Sequence, residues 1–198
     1  MKPAIWLVIF FAALIWSAIA PKDYFTWFLE VLPALIGLVI LVGSRKRFPL
    51  TPLCYLLILI HSAILMVGGH YTYAEVPLFD WLRDTFELQR NNYDKVGHLA
   101  QGFIPAIVAR EILIRKQVII LPAWRNFFIV CFCLAFSAFY ELIEWWVAAL
   151  SGEGAEAFLG TQGYIWDTQS DMMLALVGAI VALLLLGKIH DRQLDRLN

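Results

Sequence analysis

Asp94, Lys95, His98 and Gln101 fall at helical spacing at the head of an apolar stretch. Residues at i, i+4 and i+7 share one helix face, so Asp94, His98 and Gln101 make a row of acid, imidazole and amide. Two later apolar stretches carry further acids: Glu141 and Glu144 beside Tyr140, and Asp167 and Asp171 around Gln169. An imidazole facing carboxylates suits general acid–base chemistry, proton relay or a bound divalent cation. Glu141 and Glu144, at i and i+3, repel one another if both are ionised, so a proton or a cation belongs between them. Ser137 and Tyr140 lie on the adjoining face as hydrogen-bond donors. One nitrogen among several oxygens fits Mg²⁺ or Mn²⁺ better than structural zinc. The expected catalytic residues are His98, Glu141, Glu144 and Asp171, and the same four are the candidate metal ligands. Asp94, Gln101, Tyr140, Asp167 and Gln169 are the candidate ligand-binding residues. Asp94 and Asp167 also stand where helix N-caps are expected.

Other chemistries find little support. No Gly-x-Ser-x-Gly, His-Glu-x-x-His or P-loop occurs. Asp-x-x-x-His and Glu-x-x-Glu are not the Glu-x-x-His pairs of di-iron bundles. Cys54, Cys131 and Cys133 sit in apolar surroundings without CxxC spacing and read as packing residues. His61 reads as structural, Arg110 as a snorkelling, paired residue, and His70 and His190 as loop and tail residues.

The elements that must position these residues are membrane helices. The chain has 198 residues, 61% hydrophobic and 16% charged, against about 25% charged in soluble domains. The net charge of −1 argues against a nucleic-acid partner; the expected partner is membrane lipid. Six apolar segments, at about residues 3–20, 24–42, 50–68, 94–113, 127–150 and 167–186, approach the roughly 20 residues a bilayer requires. The expectation is an all-α integral membrane protein, one polytopic domain over residues 1–198, built as a six-helix bundle. The first segment exceeds a signal-peptide core and precedes Pro21, so it reads as an uncleaved span. Residues 70–93 are polar and read as a short interfacial helix. Pro105 leaves the carbonyl of Gln101 without a helical partner, close to His98.

Orientation follows from the basic residues. Arg45, Lys46 and Arg47, then Arg115, Lys116 and Arg125, then Lys188, Arg192 and Arg196 fall on one side of a six-span chain, with Lys2. Both termini of this multi-pass chain are therefore expected on the cytoplasmic side of the membrane. In that frame His98, Glu141, Glu144 and Asp171 lie near the outer face on three separate spans. A site at headgroup depth acting on a lipid or lipid-linked headgroup is the first functional expectation. A lipid- or drug-binding or resistance-accessory protein, or a proton-coupled transporter, is the second. A cluster that only locks helix packing is the third.

At these residues the chain resembles the YjdF-like bacterial inner-membrane proteins. The likeness rests on Asp94, Lys95, His98, Gln101, Gly102, Phe103 and Pro105, then Tyr140, Glu141, Glu144 and Trp145, then Gly160, Gln162, Gly163, Trp166, Asp167, Gln169 and Asp171. It runs from the first span to the sixth, and implies a membrane location rather than a reaction. A more distant likeness is to VanZ-like proteins, linked to glycopeptide resistance. These share an Asp-Lys-x-x-His start, matched by Asp94, Lys95 and His98, and a Glu-x-x-Gln in which Glu141 matches but Glu144 replaces Gln. Their final Asp precedes Gly by seven residues, as Asp171 precedes Gly178, with Ala175 in place of the usual Asn. That likeness implies a shared helical arrangement.

Overall fold

A computed structural model describes residues 2–151 and 161–197. Glu153, Glu156 and Gly160, in the glycine-rich loop, lie outside the described residues. Seven helices occur among the described residues: α1 (Pro3–Ala18), α2 (Tyr24–Ser44), α3 (Pro52–Tyr71), α4 (Pro77–Thr85), α5 (Tyr93–Arg115), α6 (Pro122–Ser151) and α7 (Asp167–Leu194). The protein is all-α, as expected. α2, α3, α6 and α7 are long and apolar enough to cross a membrane. α1 is apolar but only 16 residues long. α5 is long enough but carries twelve buried residues, among them Asp94, His98, Gln101, Arg110 and Glu111. The outer surface is correspondingly apolar: Val39 is 72% exposed and Leu184 77%.

Local signals explain the helix starts. Asp23 ends the tight turn after α1 and caps α2, accepting from Thr26 N–H at 2.6 Å. Thr51 caps α3 and Pro52 begins it, where a missing N–H costs nothing. Pro33 and Pro105 lie inside α2 and α5, and both helices run on through them. The short helix expected between the third and fourth segments is α4, which has no buried residue.

Two expectations at the helix starts need correction. The N-cap of α5 is Asn92, and that of α7 is Trp166. Asp94 and Asp167 are first-turn residues, and their carboxylates are drawn into ion pairs instead of capping. The charged tail expected from Lys188 is also helical: α7 continues to Leu194 and turns His190 fully inward.

α5 is the central helix, packed against α3, α6 and α7. It runs parallel to α7, because Lys95 meets Asp171 at one end and Arg110 meets Asp191 at the other. Their backbones come unusually close. A Cβ on Gly102 would collide with the Ala175 carbonyl, and one on Gly178 with the Leu99 carbonyl oxygen. Ala175, Ala179 and Ala182 continue this small-residue seam, all fully buried. Small residues let membrane helices meet where apolar side chains gain nothing by leaving lipid.

The far end of α5 is held by a buried polar clasp. Glu111 accepts from Thr51 N–H (2.9 Å), Thr51 Oγ1 (2.7 Å), Arg115 Nη1 (2.8 Å) and Cys54 Sγ (3.1 Å). His190 Nε2 lies 3.1 Å from the same carboxylate, and Arg110 Nη1 lies 3.0 Å from His190 Nδ1. The clasp ties α3, α5 and α7 together with every charge partnered, which is what burial in apolar surroundings demands.

Two stability predictions follow from this packing. Gly178→Leu should prevent α5 and α7 from docking, seen as loss of a monodisperse peak in detergent chromatography, whereas Gly187→Leu, where a Cβ meets nothing, should leave the peak intact. Glu111→Ala should lower stability by about 3 kcal/mol, because it strands buried donors on Thr51 and His190. An unchanged thermal midpoint would refute the clasp.

Candidate functional site

At the other end of α5, four helices, α2, α5, α6 and α7, deliver polar side chains to one place. The loop before α5 supplies Arg90, held next to Asn91, whose backbone and the Gln162 amide exchange two hydrogen bonds of 2.9 Å. Asn91 is itself fully buried and donates to the Val76 carbonyl and to Asp80. Gln162 adopts a left-handed backbone, as does Gly163 beside it. These contacts seat the start of α7 against the start of α5.

Ion pairs then orient the acids. Arg90 pairs with Asp167, and its Nη2 lies 3.3 Å from Asp94 Oδ2. Lys95 Nζ donates to Asp167 Oδ1 (2.7 Å), Ser170 Oγ (2.7 Å) and Asp171 Oδ1 (2.8 Å). The Tyr164 ring covers both cations, with its centroid 5.8 Å from Arg90 Cζ and 5.4 Å from Lys95 Nζ. Such contacts gain strength when desolvated.

His98 sits one turn deeper. Its Nε2 is 3.3 Å from Asp94 Oδ1 and 3.9 Å from Asp171 Oδ2. Its Nδ1 is 3.3 Å from Gln101 Oε1 and 3.8 Å from Glu141 Oε1. Glu144 is buried beside a cavity, across which Glu30 of α2 accepts from the Tyr140 hydroxyl at 3.3 Å. Ser137 Oγ and Glu141 Oε1 are buried with no hydrogen-bond partner among the described residues.

Of the residues expected from sequence, the structure thus gathers Asp94, His98, Gln101, Tyr140, Glu141, Glu144, Asp167 and Asp171 at one end of the bundle. Gln169 is not among them: it is exposed and makes no hydrogen bond among the described residues. The spacing explains this, since Gln169 stands two residues after Asp167 and two before Asp171, on another face of the helix. Glu30 and Arg90 belong to the cluster and were not anticipated. An ionisable residue inside an apolar span was signal enough for Glu30.

Charge is unbalanced here. Six carboxyl groups (Glu30, Asp94, Glu141, Glu144, Asp167 and Asp171) gather with three cationic or potentially cationic groups, Arg90, Lys95 and His98. Burying unpaired charge costs several kcal/mol per ion, so protons or a further cation make up the difference.

A cavity of about 550 Å³ joins this cluster to an apolar trough. Glu30, Asp94, His98, Gln101, Tyr140 and Glu144 line its polar end. Ala34, Gly37, Ile104, Pro105, Val108 and Phe132 line its length, and Ser44, Phe48 and Leu50 its far end. Along α2, Glu30 and Ser44 are about 21 Å apart at roughly 1.5 Å per residue. His61 and Ser62 are the polar side chains at mid-length.

A second buried trio with ligand-type atoms, Cys54, Glu111 and His190, belongs to the clasp at the opposite end; the first is Asp94, His98 and Asp171. All three cysteines are free, Cys131 exposed and the other two buried.

Comparison with known proteins agrees with a membrane family. The family described as Predicted membrane protein (DUF2238) matches residues 2–192. The Inner membrane protein YjdF of Escherichia coli (strain K12) is 50% identical over 183 residues, covering 92% of this chain and 88% of that protein. These findings bear out the YjdF-like resemblance and do not address the VanZ-like one. No solved structure matches.

The ion-pair geometry makes a prediction. Lys95→Met should lower stability by about 3 kcal/mol, since it strands buried Asp171 and leaves Asp167 to Arg90 alone. Lys95→Met combined with Asp171→Asn should recover part of the loss. Thermal melts in detergent check both, and additive losses would show that the two residues are not coupled.

Proposed function

The chain belongs to the DUF2238 membrane-protein family and is a multi-pass inner-membrane protein, and from that premise we propose that it binds a membrane amphiphile and acts on its polar headgroup. The carrying observation is the shape of the cavity: a charged end continuous with an apolar trough of acyl-chain length. A lipid-like molecule has the same division, with a polar head and a chain that gains by contact with apolar walls. His98, Glu141, Glu144 and Asp171 supply acid–base chemistry to the headgroup or hold a cation against it, with Asp94, Gln101 and Tyr140 as its hydrogen-bonding partners. Lys95 and Arg90 orient these acids and add positive charge for an anionic head.

The same reading includes six membrane crossings with both termini cytoplasmic. α5 need not be apolar to cross, because α3, α6 and α7 cover it rather than lipid. α1, at about 24 Å by its helical rise, crosses with help from its flanking residues or a locally thinned bilayer. Basic residues support the orientation: Arg45 to Arg47, Arg115, Lys116 and Arg192 stand at the clasp end, where Arg115 bonds the Pro49 carbonyl and Gln193 accepts from Leu53 N–H. The His98 cluster then lies at the outer leaflet. Proton-coupled transport is less well supported, because the trough between the cluster and the clasp offers only His61 and Ser62 as polar groups among the described residues.

Mass spectrometry of lipids retained by the purified protein tests the reading. One class of amphiphile should be enriched in the wild type, and Ile104→Trp, which fills the trough, should abolish the enrichment. His98→Ala should retain the lipid while the cell's lipid profile shifts. A wild-type protein with the lipid composition of the bulk membrane would overturn it. For topology, a C-terminal fluorescent-protein fusion should glow and a C-terminal alkaline phosphatase fusion should be inactive; the reverse pattern would invert the assignment.

A further inference from the structure

We propose that Asp94, His98 and Asp171 hold a divalent cation of the Mn²⁺ class. Their ligand-type atoms all lie within 4.8 Å of one another, and His98 Nε2 stands 3.3 Å from Asp94 Oδ1 and 3.9 Å from Asp171 Oδ2. With metal bonds of about 2.0–2.2 Å, neighbouring ligand atoms stand roughly 3 Å apart, so the carboxylates need to close in by up to about 1 Å, within the reach of a side-chain rotation.

The surroundings prepare each ligand. Both carboxylates have one oxygen engaged by a cation: Asp94 Oδ2 by Arg90 at 3.3 Å, and Asp171 Oδ1 by Lys95 at 2.8 Å. Their remaining oxygens turn to the same point. His98 Nδ1 faces the Gln101 carbonyl oxygen at 3.3 Å, a partner that accepts and never donates. With Nδ1–H donating to Gln101, Nε2 faces the two carboxylates, and the cation between them is either a proton on Nε2 donated to Asp94 or a metal ion that replaces it. An acceptor on the far nitrogen is the arrangement that metal-bound histidines require. Glu141 Oε1, buried without a hydrogen-bond partner among the described residues and 3.8 Å from His98 Nδ1, brings a further carboxylate to the site.

The clasp gives the contrast. There Arg110 Nη1 approaches His190 Nδ1 at 3.0 Å. A guanidinium only donates, so Nδ1 accepts and Nε2 carries the proton that faces Glu111. No lone pair is left for a metal, and the Cys54 thiol is likewise engaged with Glu111. Two groups that look alike by composition differ in where their histidine protons must lie. One imidazole with two carboxylates suits Mn²⁺, which keeps positions for water or anionic oxygens; Asp94 and His98 line the cavity, so those positions open towards the proposed headgroup.

The inference shares its location with the headgroup reading but does not depend on the trough. Full-length protein in detergent micelles, stripped with EDTA, is titrated with Mn²⁺, and bound ion is followed by electron paramagnetic resonance. One saturable ion per chain is expected. Asp171→Asn should weaken binding about tenfold or more, and Gln101→Leu, which touches no ligand atom of the carboxylates, about 10–100-fold. Cys54→Ser should bind as the wild type does. Absence of saturable binding in the wild type would overturn the proposal, as would binding that survives Asp171→Asn and disappears in Cys54→Ser. Thermal melts of each variant separate lost binding from lost fold, and Gln101→Leu carries the test should Asp171→Asn not fold. Ile104→Trp keeps the two readings apart: retained Mn²⁺ with lost lipid leaves the metal site standing by itself, and lost Mn²⁺ without enriched lipid in the wild type counts against both.

Discussion

α5 and α7 lie so close that not even a methyl group fits at Gly102 or Gly178, and the rest of the molecule depends on that approach. Two parallel helices in contact along a small-residue seam hold a fixed register. Near its start the register sets Lys95 against Asp171; near its end it sets Arg110 against His190 and Asp191. Membrane helices gain little from burying apolar side chains against each other. Backbone proximity and the polar groups it brings together therefore supply the specificity.

The two ends use similar residues for different purposes. At the clasp, Glu111 is saturated by donors from three helices, and nothing is left over to meet a ligand. At the other end the acids outnumber the bases, Glu141 and Ser137 have buried oxygens without hydrogen bonds among the described residues, and a cavity opens beside them. A region built only for stability would resemble the clasp. Excess charge next to open space is costly unless something else completes it.

The helical period made much of this visible in the sequence. Asp94, His98 and Gln101 form a row at any helix start, and acids on three apolar segments had few places to go except one another. What stayed hidden was set by tertiary contacts. Arg90 precedes α5 and reads as interfacial, until Gln162 and Asn91 fold the loop back over Asp167. Asp94 and Asp167 look like caps because capping is a local rule, and the neighbouring cations compete for them successfully. Gln169 obeys the same period, and its position two residues from each aspartate places it on another, exposed face. His190 looked like a tail residue because the apolar run ends near Leu186, whereas α7 continues for two more turns as a helix anchored by Glu111 and Arg110. Glu30 is legible as a lone acid in an apolar span.

The α5–α7 register assembles a charged cluster at the head of a trough about 21 Å long by the helical rise of α2. A cryo-electron microscopy map of the protein in lipid nanodiscs, with an antibody fragment as a fiducial, addresses this most directly. An elongated density running between α2, α3, α5 and α6, with its head within contact distance of His98, is the expected result. A trough filled by the protein's own side chains, with His98 turned away from Asp94 and Asp171, would contradict it.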